Sequence, residues 1–425
     1  MPMKASIIPG EVAQSRAPAA STAPWTIKLG RSLLTQRLTG LAAGEICIVE
    51  QGMRRQFGVS GTGLRATVEV LNQHFWSDTA FGGSVGAGEA YINGYWRCND
   101  LTALMRIMVA NAAVLTDMEQ GWAWLGAPFA RLLHFLSRNS KQGSRRNIAA
   151  HYDLGNDFFA LFLDATMAYS CGIFETPNAS MYEASIAKFE RICTKLELRP
   201  TDHLLEIGTG WGGLAIHAAR LHGCRVTTTT ISRQQYDLAK EKIAAAGLCD
   251  RIELLLVDYR DLTGQFDKLA SIEMVEAVGA AYLDTYFARC SALLKPDGMM
   301  LLQAITIRDQ LYAAALRGVD FIQRFVFPGS FIPCVTALAA SIQRATDMKL
   351  HDLVDIGPHY ATTLRHWREE FFSRLPAVKA LGYSDAFIRL WEYYFCYCEG
   401  GFAERQLGDV QMLLVKPGAR PASPR

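Results

Sequence analysis

This chain of 425 residues lacks any run of about 18 uncharged apolar residues, so no membrane-spanning helix is expected. The nearest approach, GWAWLGAPFARLLHFLSR, is interrupted by Pro128 and Arg131. Net charge is scarce too: a formal +2 leaves no basic surplus with which to argue for a nucleic-acid partner. Ten cysteines occur, but none in a Cys-x-x-Cys pair, which excludes a disulfide framework or zinc ribbon and suggests reduced thiols in a cytoplasmic setting. Residues 1–24 have no apolar stretch of signal-peptide type; rich in Ala, Ser and Pro, they read as a disordered tail, with 418–425 as its counterpart.

What remains is half apolar and long enough for two cores. Residues 25–137 mix strand-like runs (EICIVE, ATVEVL) with helical ones and read as a smaller α+β domain. Residues 138–150 read as a basic linker. Between Glu119 and Asp153 there is no acid, while Arg131, Arg138, Lys141, Arg145 and Arg146 all fall there. An apolar helix followed by unbalanced positive charge suits an anionic lipid surface, at about 1 kcal/mol per basic residue close to it. The alternative is a solvated linker beside a core helix.

From 151 to 417 strands and helices alternate, which predicts a mostly parallel sheet covered on both faces. HLLEIG, RVTTTTI, IELLLVDY, KLASIEMV and GMMLLQAI are the expected strands, and LHDLVDIG and DVQMLLVKP could close the sheet. The helical, aromatic stretch after GMMLLQAI, with FIQRFVF and WEYYFCYCEGGF, reads as a lid over the carboxyl ends of the strands. Such aromatics could line an apolar tunnel, although at helical spacing they are usually core.

In LLEIGTGWGG, Gly208, Gly210 and Gly213 form G-x-G-x-x-G between a strand and a helix, a pattern shared by several adenosine-containing ligands. A dinucleotide site wants an acid about 20 residues further on. Here no acid lies between Glu206 and Asp237. Instead Glu206 precedes the turn and Asp258 ends the third strand, the layout of a class I S-adenosylmethionine methyltransferase with a Rossmann-like sheet.

HYDLGNDFFALFLDATMAYSCGIF, LLEIGTGWGG, TTTISRQQ, VDYRDL, FDKLASIEMVEAVG and HYATTL, in this order, resemble the cyclopropane-fatty-acyl-phospholipid synthases and mycolic acid methyltransferases. GAGEAYINGYW and RFVFPG extend the match from about residue 85 to 416. The resemblance implies a cofactor site at Tyr169, Ser170, Gly208, Gly210, Thr230, Gln235, Asp258 and Tyr259, beside Glu206. Read without it, Thr230 and Gln235 are an ordinary strand end and helix start.

The implied chemistry is attack of an acyl-chain double bond on the sulfonium methyl, followed by loss of a proton to a bound bicarbonate and closure of a cyclopropane ring. The bicarbonate holders would be Cys171, Glu276, Gln303 and Tyr360, with the backbone near Ile305. Outside the family pattern, Cys171 reads as a buried thiol and Glu276 as a loop glutamate. Glu273 competes with Glu276, but three residues apart in a strand they would face opposite ways, so only one can face the site, and the resemblance favours Glu276.

Two departures bear on the product. The family's LLHTI is LLQAI here, with Gln303, and EHVG is EAVG, with Ala277. An amide cannot carry the charge of an imidazole, so proton removal rather than methyl transfer is affected, and Gln303→His should raise ring formation. Without ring closure the product is a methyl- or methylene-branched chain. The implied partners are unsaturated phospholipids and an anionic membrane surface, with the enzyme peripheral at its inner face; a homodimer is compatible with this. A non-catalytic lipid-binding protein of the same fold, or a small-molecule methyltransferase, is the alternative of another class.

Overall fold

Every second side chain of β1 (Glu45–Glu50) is buried, as a strand with one face on a core requires. The computed structural model describes residues 24–61, 63–112 and 154–422. The apolar stretch before the linker and the linker 138–150 itself, together with the tail 1–23, lie outside them. The strands β1, β2 (Met53–Gly58), β3 (Arg65–Val70) and β4 (Trp96–Cys98) form a sheet of order β2-β1-β3-β4, mixed in direction. The helices Pro24–Leu38, His74–Ile92 and Leu101–Ala110 accompany it.

This first unit also contains 317–328 and 375–406, which the sequence reading placed in the second domain as a lid. The reason is packing. Phe321 lies 4.4 Å from Tyr393, and a Cβ on Gly88 would come within 2.4 Å of the Phe321 ring. Tyr91 donates to Glu392 at 2.8 Å, and Gly400 lets the helix Asp385–Ala403 close on Met105. The aromatics expected to roof the strands are core of the N-terminal unit.

The second unit (137–316, 329–374 and 407–425) is built on seven strands in the order β10-β11-β9-β8-β5-β6-β7. They are β5 (His203–Ile207), β6 (Arg225–Thr229), β7 (Ile252–Leu255), β8 (Phe266–Ile272), β9 (Leu294–Ile307), β10 (Lys349–Asp355) and β11 (Leu407–Val415). β5 to β9 run parallel, and β11 lies antiparallel between β9 and β10, so both late segments do join the sheet. Successive residues serve opposite faces: Leu205 and Leu302 enter one core with Phe287 and Leu293, whereas Leu204 and Leu301 enter the other with Ile192 and Ala215. Each such leucine stabilises the sheet by about 1.5–3 kcal/mol.

The chain runs outward from β5 through β7 and returns to the other side of β5 at β8. A crevice therefore opens at the carboxyl ends of β5 and β8, where open sheets bind ligands.

Candidate active site

Immediately after β5 the chain turns through Gly208 (φ 102°), Gly210 (φ 53°) and Gly212 (φ 87°). These left-handed values suit glycine, and a Cβ placed on Gly210 would meet nothing within 4 Å. The open side of the turn is thus bare backbone, as close approach of a ligand requires. Beneath it Glu206 is buried, with Thr228 donating to it at 2.5 Å and Thr209 linked to Thr228 at 2.7 Å. Burial pushes the Glu206 carboxyl up to about 8.

The other expected cofactor residues stand in the segments after β6 and β7 and before the helix Met181–Lys195. Thr230 donates to the Gln235 side-chain oxygen at 2.8 Å, and Ser232 caps the helix Arg233–Ala245. Asp258 accepts from the Arg260 guanidinium at 2.8 and 2.6 Å, so its carboxylate is clamped within the loop. Tyr259 packs on Tyr286, and Tyr169 on Phe159 and Trp367. Ser170 accepts from the buried Lys188 at 2.6 Å. Lys188 is interior because the helix Met181–Lys195 buries Ala184, Ser185, Lys188, Phe189 and Ile192 on one face.

The second half of the site lies against the same turn: Met274 Cγ is 3.3 Å from where a Gly208 Cβ would be. β8 ends at Ile272, Glu273 takes a left-handed φ of 45°, and Val275–Ala277 is a 3-10 turn. The strand alternation that was to separate Glu273 from Glu276 therefore does not reach them. This corrects the choice of Glu276 alone.

Glu273 gathers most of the residues expected around bicarbonate. Its Oε1 accepts from the Cys171 backbone N–H at 2.8 Å and from Gln303 Nε2 at 2.9 Å, and its Oε2 from the Tyr360 hydroxyl at 2.6 Å. The last expected donor, the Ile305 N–H, goes to Glu276 Oε1 at 2.6 Å. With all four donors engaged by the chain's own carboxyl groups, the expected bicarbonate does not fit. Cys171 contributes through its backbone; its buried thiol faces the carbonyls of Gly172 and Ile356, and burial pushes its pKa up.

Strand order makes this convergence. Gln303 on β9 pairs with Ile272 of β8 on one side and Gln411 of β11 on the other. Its amide nitrogen also donates to Asp409 Oδ2 at 2.9 Å, while its oxygen accepts from Gln411 at 3.1 Å. An imidazole could not make all three bonds. Burial, then Glu273 and Glu276, push Asp409 well above the carboxylate range; burial, then Glu273, push Glu276 up to about 8. Asp409 Oδ1 and Glu276 Oε2 are buried without a partner, and such atoms cost about 1–3 kcal/mol each unless a ligand meets them.

Glu273 was weighed in the sequence and set aside, whereas Asp409 and Lys188 were missed. A signal existed for both: Asp409 interrupts an apolar strand, and Lys188 interrupts the buried face of a helix. Elsewhere, Cys193, His217 and His222 bring potential metal-ligand atoms within 4.8 Å of one another, with both imidazoles on Glu190 at 3.0 and 3.2 Å.

Residues 139–412 match the model of the mycolic acid cyclopropane synthetase family. The chain is 37% identical to a tuberculostearic acid methyltransferase of Mycobacterium tuberculosis, over 79% of this chain and 80% of that one. It is 34% identical to the cyclopropane-fatty-acyl-phospholipid synthase of Escherichia coli K12, over 82% and 87% respectively. Among solved structures, a mycolic acid cyclopropane synthase complexed with S-adenosylhomocysteine and CTAB superposes with TM-score 0.60 at 29% identity, covering 64% of this chain and 98% of the other.

Proposed function

The chain belongs to the mycolic acid cyclopropane synthetase family, as an S-adenosylmethionine-dependent methyltransferase, and we propose that it methylates the double bond of an unsaturated acyl chain in a membrane phospholipid and closes a cyclopropane ring there. The observation that carries this reading is the convergence of Gln303 and Tyr360 on Glu273, beside Met274, whose side chain touches the glycine turn. An alkene attacking an electrophilic methyl leaves a carbocation, and a dry site with an oxygen base nearby directs its fate.

S-adenosylmethionine, when bound, supplies the electrophilic methyl. The chain's residues do the rest. Bare backbone at Gly208 and Gly210 admits the cofactor, with Thr230, Gln235, Asp258, Tyr259, Tyr169 and Ser170 around it and Glu206 bracing the turn from below. Gln303, Tyr360 and the N–H groups of Cys171 and Ile305 fix the carboxyls. Docking on an anionic membrane through the N-terminal unit and basic linker, location at the inner face of the membrane, and a homodimer are parts of the same proposal. Among the described residues no helix is long and apolar enough to cross a membrane.

The test is incubation with S-adenosylmethionine and mixed unsaturated phospholipids. Release of S-adenosylhomocysteine, gain of one CH2 in the acyl chain and upfield cyclopropyl protons by NMR are expected. No release with any such lipid would sink the reading and revive a non-catalytic lipid binder. The second reading, a methyl- or methylene-branched product, is favoured by Gln303 in place of the family histidine and by similarity to the tuberculostearic acid methyltransferase. The same NMR spectrum separates the two.

A further inference from the structure

We infer that Glu273 is the chain's own proton acceptor, standing where a bound bicarbonate was expected. The inference rests on the methyl-transfer reading above.

Three groups from three separate elements converge on this one carboxylate: the N–H of Cys171 from the segment before the helix Met181–Lys195, the amide of Gln303 from β9, and the hydroxyl of Tyr360 from the helix Gly357–Ser373. Donors aimed at one point from independent elements form a cradle for an acceptor, and here the acceptor is covalently attached. The backbone supports this. Glu273 holds φ 45°, which costs a residue with a Cβ on the order of 1 kcal/mol, and nothing in the sheet requires a glutamate there. Fewer donors from other elements converge on Glu276 and Asp409: the Ile305 N–H meets the one and the Gln303 amide the other.

The step balances within the chain and substrate. After the double bond has taken the methyl, one C–H bond of the new methyl group breaks. Its electron pair forms the third ring bond to the cationic carbon, and the proton passes to a Glu273 oxygen. The proton later leaves to solvent. A hydrogen-bonded carboxylate is a weak base, but a C–H beside a carbocation is a strong acid, so a weak base held in place suffices.

The deciding experiment uses the full chain in buffer stripped of carbon dioxide, with and without added bicarbonate. Wild type should turn over equally in both. Glu273→Gln should lose about 100-fold in product formation while still binding S-adenosylhomocysteine. Glu273→Gly, at a backbone angle glycine accepts freely, should be similarly slow and regain activity on adding bicarbonate or formate, a rescue that a merely structural role would not show. A wild type stimulated severalfold by bicarbonate overturns the inference even if no variant folds, as does Glu273→Gln giving the same product at the same rate. S-adenosylhomocysteine release by wild type reports methyl transfer separately. Its absence sinks both readings, whereas its presence with an indifferent Glu273→Gln sinks only this one.

Discussion

The hydroxyl of Tyr360 donates to Oε2 of Glu273 across 2.6 Å, tying the helix Gly357–Ser373 to the segment that leaves β8. The helix and strand are far apart in sequence, and this bond aims the carboxylate from one side while Gln303 aims it from the other. Of the three groups that orient Glu273, these two are side chains, each removable in turn.

Tyr360→Phe keeps the ring and deletes the donor. Loss of one hydrogen bond to a charged group, about 1.5–3 kcal/mol, should lower product formation by roughly 10- to 100-fold. Cofactor affinity should stay within about twofold, since Tyr360 faces the carboxylate. Steady-state kinetics beside S-adenosylhomocysteine titration checks this; equal losses in both would show that the helix itself had moved.

Gln303→His should not raise ring formation, contrary to what the sequence alone suggests. The amide makes three side-chain bonds, to Glu273, Asp409 and Gln411, and a histidine must forfeit at least one in the buried sheet. A loss of about 1–3 kcal/mol of stability is expected, with less product of any kind. Urea denaturation and lipid NMR on the same preparation decide it.

At Gly210 the angle of 53° lies where glycine is at ease, and the space for a Cβ is open. Gly210→Ala should fold, at a cost of about 1–2 kcal/mol for its left-handed backbone, since its Cβ meets no protein atom, yet weaken S-adenosylmethionine binding by about tenfold or more by filling the cofactor's approach. Calorimetric titration reads this directly. Undiminished affinity would move the cofactor away from the turn.

Cys171→Ala keeps the backbone N–H that serves Glu273 and removes only a thiol facing carbonyls. Activity should fall less than about tenfold, with a modest loss of stability from the small cavity. Abolished turnover in a folded variant would return the thiol itself to the chemistry.

Glu206 and Glu276 both rise from the ordinary glutamate value near 4.5 to about 8 on folding. A raised carboxyl binds its proton more firmly in the folded state, so its stabilisation is full below about 4.5 and is lost as pH climbs through 8. Urea midpoints should therefore decline from pH 5 to pH 9. Glu206→Gln, which cannot ionise, should flatten part of that slope; an unchanged slope would show that Glu206 is not the titrating group.

The alternating strands, the glycine turn and the buried helix faces were legible because they depend on spacing within one segment. A period of two or of 3.6 and a glycine demanding positive φ are visible without knowing what lies across the sheet. The resemblance carried Cys171, Gln303, Ile305 and Tyr360 to one place; in the structure Cys171, Gln303 and Tyr360 each bond Glu273, whereas Ile305 bonds Glu276. The sequence reading failed where a local rule was pushed past the end of its element: at Glu273 the strand has stopped, and a left-handed residue turns the carboxylate inward. It failed also for the aromatic segments, whose period marks burial but not which core receives them.

Composition and pattern alone were enough to specify a parallel α/β sheet with an adenosine-binding turn. Which acids meet at Gln303 was decided by the strand order β8-β9-β11, which sets Glu273 and Asp409 on either side of it. The physical reason is range. Backbone preference acts over a few residues, whereas hydrogen bonds between side chains more than a hundred positions apart exist only after the sheet has assembled.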